Sequence, residues 1–169
     1  FCVVTTKPTE QGRFYRLPTQ RDLDAVQRAK DELIRRKREW TGNLSLVPDE
    51  PYPDETGAGA LSSSVLYGPK VWGDIFTSRQ LLTLTTLVRK VNSLNKTGHF
   101  SSESDKIKKE IQTCLAFAID RTANQFCSLS KWNSGRELVD GVFSRQALPM
   151  LWDFGELNIF GGNDGYWEG

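Results

Sequence analysis

Hydrophobic and polar positions in the first quarter of the chain predict a β-hairpin followed by a long helix. Short β-prone runs on either side of the polar stretch 7–12 predict a hairpin over residues 1–18. Apolar residues then recur at helical spacing, which predicts a helix over 19–41. Thr19, followed three residues later by Asp22, supplies the capping signal at the start of this helix.

The helical pattern stops after residue 41. Pro48, Pro51 and Pro53 fall within six residues and forbid a helix, because proline lacks a backbone N–H and clashes with the preceding turn. Acidic residues and then small residues surround them, so we predict an extended loop over 42–76.

The remaining segment, 77–169, is predicted to be mainly helical. An apolar helix begins at Thr77 or Ser78 and ends near Leu94. Ser102, followed three residues later by Asp105, is the start signal of a further helix. The pattern weakens afterwards, and 136–146 is interpreted as helix. The fold class predicted from these elements is mostly α (α+β), with three or more long helices and a small N-terminal β-hairpin. The chain is interpreted as a single domain or a fragment of a larger protein.

Composition excludes several classes of protein. The 22 Lys and Arg residues nearly cancel 21 Asp and Glu residues, so the net charge of +1 excludes a strongly basic nucleic-acid arm. No run of 18 apolar residues exists, and no membrane partner is expected. Cys2, Cys114, Cys127 and the single His99 show no zinc-ligand spacing, so no metal site is expected. Such sparse cysteines favour a reducing, cytoplasmic location.

The densest basic run, Arg35–Arg38, lies at the C-terminal end of the first predicted helix. Its cations are suited to phosphate contacts, which dominate nucleic-acid affinity. Cations at a helix C-terminus are also favoured by the helix dipole alone, and this helix carries several acids. Between Lys70 and Arg145, 12 positive side chains outnumber 7 negative ones, which permits a basic face.

Two further clusters combine aromatic residues with Arg-Gln pairs, at 72–80 and at 144–154. Arg and Gln suit phosphates and base edges, and Trp stacks on unpaired bases. Packing in the core is the preferred interpretation for Trp72 and Trp152, whereas the arginines stay open. The candidate DNA-contact residues are Arg35, Arg36, Lys37, Arg38, Trp72, Arg79, Gln80, Trp132, Arg136, Arg145 and Gln146.

Several strings, taken in order, resemble those of the large bacterial and archaeal adenine-specific DNA methylases that contain a zinc-ribbon segment. The strings are Gly12–Thr19, Val47–Pro51, Tyr67–Gly68, Trp72–Leu82, Ala118–Arg121, Arg145–Phe154 and Glu156–Phe160. In that family the cofactor-binding and zinc-ribbon segments precede such a region, and the Asp/Asn-Pro-Pro-Tyr catalytic motif follows it. This chain contains neither, so the resemblance assigns it no catalytic, cofactor-binding or metal-binding residue.

The resemblance implies the middle, non-catalytic region of an S-adenosylmethionine-dependent DNA adenine-N6 methyltransferase. S-adenosylmethionine is then the cofactor of the parent protein, and DNA and the remaining methyltransferase segments are the expected partners. A base-flipping enzyme needs phosphate clamps and an apolar wedge, and the candidate residues above are suited to both. The alternative is a helical protein-interaction or scaffold module with no nucleic-acid role, which would expose an apolar patch instead.

Overall fold

The computed structural model describes residues 2–7, 10–51, 68–94, 105–136, 138–142 and 151–159. These residues form three α-helices and two small antiparallel sheets, which confirms the mostly helical α+β class with an N-terminal hairpin. The elements are β1 (Val3–Lys7), β2 (Glu10–Arg16), α1 (Gln20–Glu39), a 3₁₀ turn (Trp72–Ile75), α2 (Ser78–Ser93), α3 (Asp105–Ala123), β3 (Lys131–Asn133) and β4 (Leu138–Asp140).

The hairpin of β1 and β2 is longer than the sequence predicts. Its strands include Lys7 and the segment 10–12, which were predicted as loop. The register shifts between Thr5 and Lys7, and Gly12 adopts a φ of 105°, a conformation that glycine takes without steric cost. No strand side chain that the structure describes here is buried, so the hairpin adds little to the core.

A cap at Thr19 begins α1, as predicted, and joins it to the hairpin. The Thr19 N–H and hydroxyl each donate to Asp22 Oδ2 at 2.7 Å. Arg16 donates to both oxygens of the same carboxylate, at 2.7 and 3.0 Å. These bonds hold the pKa of Asp22 well below its usual range, and the Arg16 guanidinium contributes most, before the two Thr19 donors.

The segment predicted as extended loop contains one helical turn. The Gly73 N–H donates to Pro48 O at 2.9 Å, and Trp72 N–H donates to Glu50 O at 3.1 Å. These bonds hold the 3₁₀ turn against the loop that follows α1. Asp74 caps the turn by accepting from the backbone N–H groups of Lys70 and Val71, and these two bonds lower its pKa.

The core lies where α2 packs between α1 and α3. Thr77, one of the two predicted start positions, caps α2, and its hydroxyl accepts from the Gln80 N–H at 3.2 Å. Two of the three buried clusters in the described residues include a residue of α2, the third includes Ile75 of the 3₁₀ turn, and Phe76 packs against all of them. The clusters are Ile75, Cys127, Leu129 and Val142; Leu33, Val47 and Leu81; and Leu84, Ile119 and Phe126.

The helix predicted over 136–146 is wrong at 138–140, where the chain forms β4. Asn133 Oδ1 accepts from the N–H groups of Gly135 and Arg136, both at 3.1 Å, and so reverses the chain. This turn pairs β4 with β3 and sets Val139 opposite Trp132. Residues 143–150 lie outside the described part of the chain.

Candidate nucleic-acid interface

The basic run 35–38 does not present its four cations on one side of α1. Arg35 forms ion pairs with Glu32 and Glu39. Arg36 Nε lies 2.7 Å from Glu32 Oε1, and its Nη1 donates to Thr86 Oγ1 on α2 at 2.7 Å. Arg36 therefore joins α1 to α2.

Helical periodicity explains this division. At about 100° per residue, Arg36 and Lys37 flank the buried Leu33, whereas Arg35 and Arg38 point away from it. Lys37 is near enough to Asp74 to help lower the pKa of that carboxyl. Arg35, Lys37 and Arg38 are exposed, and Arg36 is half-buried.

Acid is expected to weaken the fold partly through Glu32. Its bonds to Arg35 and Arg36 lower its pKa from 4.5 to about 2. Since the folded-state pKa is depressed, the stabilisation is present above pH 4.5 and is lost as the pH falls towards 2. In urea unfolding series between those pH values, Glu32→Gln should show a shallower loss of stability than the wild type. Equal slopes for the two proteins would contradict this assignment.

Trp72 and Arg79 both have structural contacts. Trp72 is half-buried and packs against the cluster that contains Ile75 and Cys127, as the core interpretation predicts. Arg79 Nε lies 2.7 Å from Glu156 Oε1 and so joins the start of α2 to the segment 151–159. Contacts of either residue with DNA stay predictions.

Gln80 belongs to the interior, since its side chain is 1% exposed. Its Oε1 accepts from the Thr77 N–H at 2.8 Å and completes the cap of α2. Its Nε2 is buried without a hydrogen-bond partner, a situation that costs on the order of 1–3 kcal/mol. Gln80 thus has a structural role in the cap of α2, and its contact with DNA stays a prediction.

The later candidates are spread over the β3–β4 hairpin and beyond. Trp132 is half-buried on β3, and Arg136 is exposed in the turn between the strands. Arg145 and Gln146 lie outside the described residues. Trp152 is 90% exposed, so the expectation that it anchors the core is wrong.

One feature of α1 differs from the sequence interpretation. Leu23, Val26 and Ile34 fit the apolar periodicity of the predicted helix, yet they are 44%, 36% and 40% exposed. Only Ala29 and Leu33 of that helix are buried. The apolar stripe of α1 is therefore wider than the area that α2 covers. The sequence could have shown this, because the apolar residues of α1 are spread over more than one side of the helix.

The cysteines are free thiols: Cys2 and Cys114 are exposed, and burial raises the pKa of Cys127. In the described part of the chain, no three His, Cys, Asp or Glu side chains form a group that could hold a metal ion. None of the described helices combines the length and apolar character needed to cross a membrane.

No family model, curated protein or solved structure matches this chain. Its function must therefore be inferred from its own residues.

Proposed function

We propose that this chain is the middle, non-catalytic region of an S-adenosylmethionine-dependent DNA adenine-N6 methyltransferase. It supports the catalytic core and contacts DNA through the end of α1. The ordered strings described above support the family, and the exposure of Lys37 and Arg38 at one helix end supports the contact. That exposure is the observation that carries the DNA role, because phosphate contacts need accessible cations. Cofactor and catalytic residues belong to the parent protein.

DNA binding by the full chain should be salt-sensitive and should depend on Lys37 and Arg38. Fluorescence anisotropy with a labelled DNA duplex would measure affinity from about 50 to about 200 mM salt. Replacing both cations with Gln should weaken binding and reduce the salt slope by about 1.8, since each phosphate contact contributes about 0.9.

The matched control replaces Arg21 and Arg28, two other exposed cations of α1, with Gln. This variant removes the same charge and should bind as the wild type does. Absence of binding at the lowest salt concentration would overturn the DNA role, as would equal weakening by both double variants.

A protein-interaction or scaffold role is the second candidate, and a specific observation favours it. Arg35, Arg36 and Arg79 all pair with carboxylates of this chain, so part of their charge is neutralised internally. Large apolar side chains are at the same time exposed on α1. Exposed apolar surface is typical of protein contacts rather than of phosphate binding.

A further inference from the structure

Helix α1 has three different sides. The first contains Ala29 and Leu33 and packs towards α2. The second, pointing away from it, mixes acids with arginines. The third lies between them and forms what we call the α1 strip. Its members, which fall within a sector of about 100° on a helical projection, are Leu23, Val26, Gln27, Lys30, Ile34 and Lys37.

Every residue of the α1 strip is exposed, so the described part of the chain leaves this surface accessible. Leu23, Val26 and Ile34 are large aliphatic residues with more than a third of their surface accessible. They lie at spacings of three and eight residues, with Lys30 between Val26 and Ile34. Side chains at such intervals lie along one side of a helix, so the three form an aliphatic ridge that Lys30 interrupts.

The charge of the α1 strip is of one sign. Lys30 and Lys37 are its ionisable members, and no acid of α1 falls within it. The second side of α1 carries charges of both signs, and there Arg35 pairs with Glu32 and Glu39. Two described acids lie at the margins of the strip: Asp31 accepts from Gln27 at 2.8 Å, and Asp74 is near enough to Lys37 for the lysine to help lower its pKa. The centre of the strip therefore offers the cation Lys30 between two exposed aliphatic side chains, Val26 and Ile34.

We propose that the α1 strip docks an acidic amphipathic α-helix of a partner protein. From Leu23 to Lys37 the strip extends about 21 Å, the length of about four helical turns. A helix with a matching apolar ridge would bury Leu23, Val26 and Ile34, and carboxylates beside the ridge would meet Lys30 and Lys37. Duplex DNA would satisfy the lysines but leave the aliphatic ridge without a partner. The inference stands independently of the methyltransferase assignment.

The probe for this test is a labelled synthetic helix with leucines at heptad positions a and d and glutamates flanking them. A control peptide carries lysines in place of the glutamates. The full chain should bind the acidic peptide and should bind the lysine peptide at least about tenfold more weakly, because like charges then meet across the contact.

Two matched variants locate the contact. Lys30→Glu reverses the charge inside the strip and should weaken binding of the acidic peptide about tenfold or more. Arg28→Glu makes the same charge change two residues away, on the second side, and should leave binding unchanged. Ile34→Ser should also weaken binding, and circular dichroism with thermal unfolding verifies that each variant is folded.

Failure of the chain to bind the acidic peptide would overturn the proposal, as would equal weakening by Lys30→Glu and Arg28→Glu. Displacement of the bound peptide by a DNA duplex, combined with loss of DNA binding in Ile34→Ser, would assign the strip to nucleic acid instead. Because the DNA test uses salt dependence and the double replacement of Lys37 and Arg38, the two proposals can fail separately.

Discussion

Replacing Phe76 with alanine is expected to lower the free energy of unfolding by about 3 kcal/mol, at the lower end of the range for buried Phe→Ala changes. Phe76 is only half-buried, which favours the lower value. Its importance comes from its position, because it packs against all three buried clusters of the described core. Its loss should therefore uncouple the loop after α1 from both α2 and α3.

The effect should be visible as a fall in Tm of about 6–12 °C, given a chain of this length. Phe117→Ala is the matched control, since Phe117 lies on α3 with 67% of its surface exposed. Its change should stay within about 0.5 kcal/mol, as for most surface substitutions. Similar Tm values for the two variants would contradict the central role of Phe76.

Features determined by neighbours in the sequence were predictable. Helical spacing identified α1, α2 and α3, the cap at Thr19 is where the local signal placed it, and the cap at Thr77 is one of the two predicted positions. A helix start depends on contacts within about four residues, so its signal is contained in a short string. The hairpin was predicted for the same reason, although its strands extend further towards the turn.

Features determined by distant contacts were not predictable. Leu138–Asp140 form a strand because an Asn133 turn brings them against β3, and this tertiary pairing prevails over the local helical pattern. The roles of Arg36 and Arg79 depend on Thr86 and Glu156, which lie far from them in the sequence. The sequence around a basic residue does not show whether its side chain pairs with a carboxylate of the same chain or with a phosphate.

The exposed ridge on α1 illustrates the same limit at the candidate site. Leu23, Val26 and Ile34 have the periodicity of core residues, yet α2 is the helix that packs against α1 and it covers the side of Ala29 and Leu33. Periodicity shows that a helix has an apolar side but not how much of that side is covered. The uncovered remainder is what makes α1 a candidate for partner binding.

Replacing Gly73 with alanine is expected to destabilise the chain by about 2–3 kcal/mol, because overpacking of a tight contact forces backbone shifts. A Cβ at this position would lie 2.6 Å from Pro48 O and 2.6 Å from Val47 Cγ1. Backbone atoms on one side and a buried side chain on the other leave no flexible group to move aside. The clash also acts on the 2.9 Å bond from Gly73 N–H to Pro48 O.

Gly135→Ala is the matched control, since the nearest atom to its added Cβ is Asn133 Oδ1 at an ordinary 3.6 Å. Urea unfolding should show a lower midpoint for Gly73→Ala and a midpoint near that of the wild type for Gly135→Ala. Equal midpoints would mean that the 3₁₀ turn can move away from residues 47 and 48 at little cost. A large shift would establish that this turn is held in place by close backbone packing.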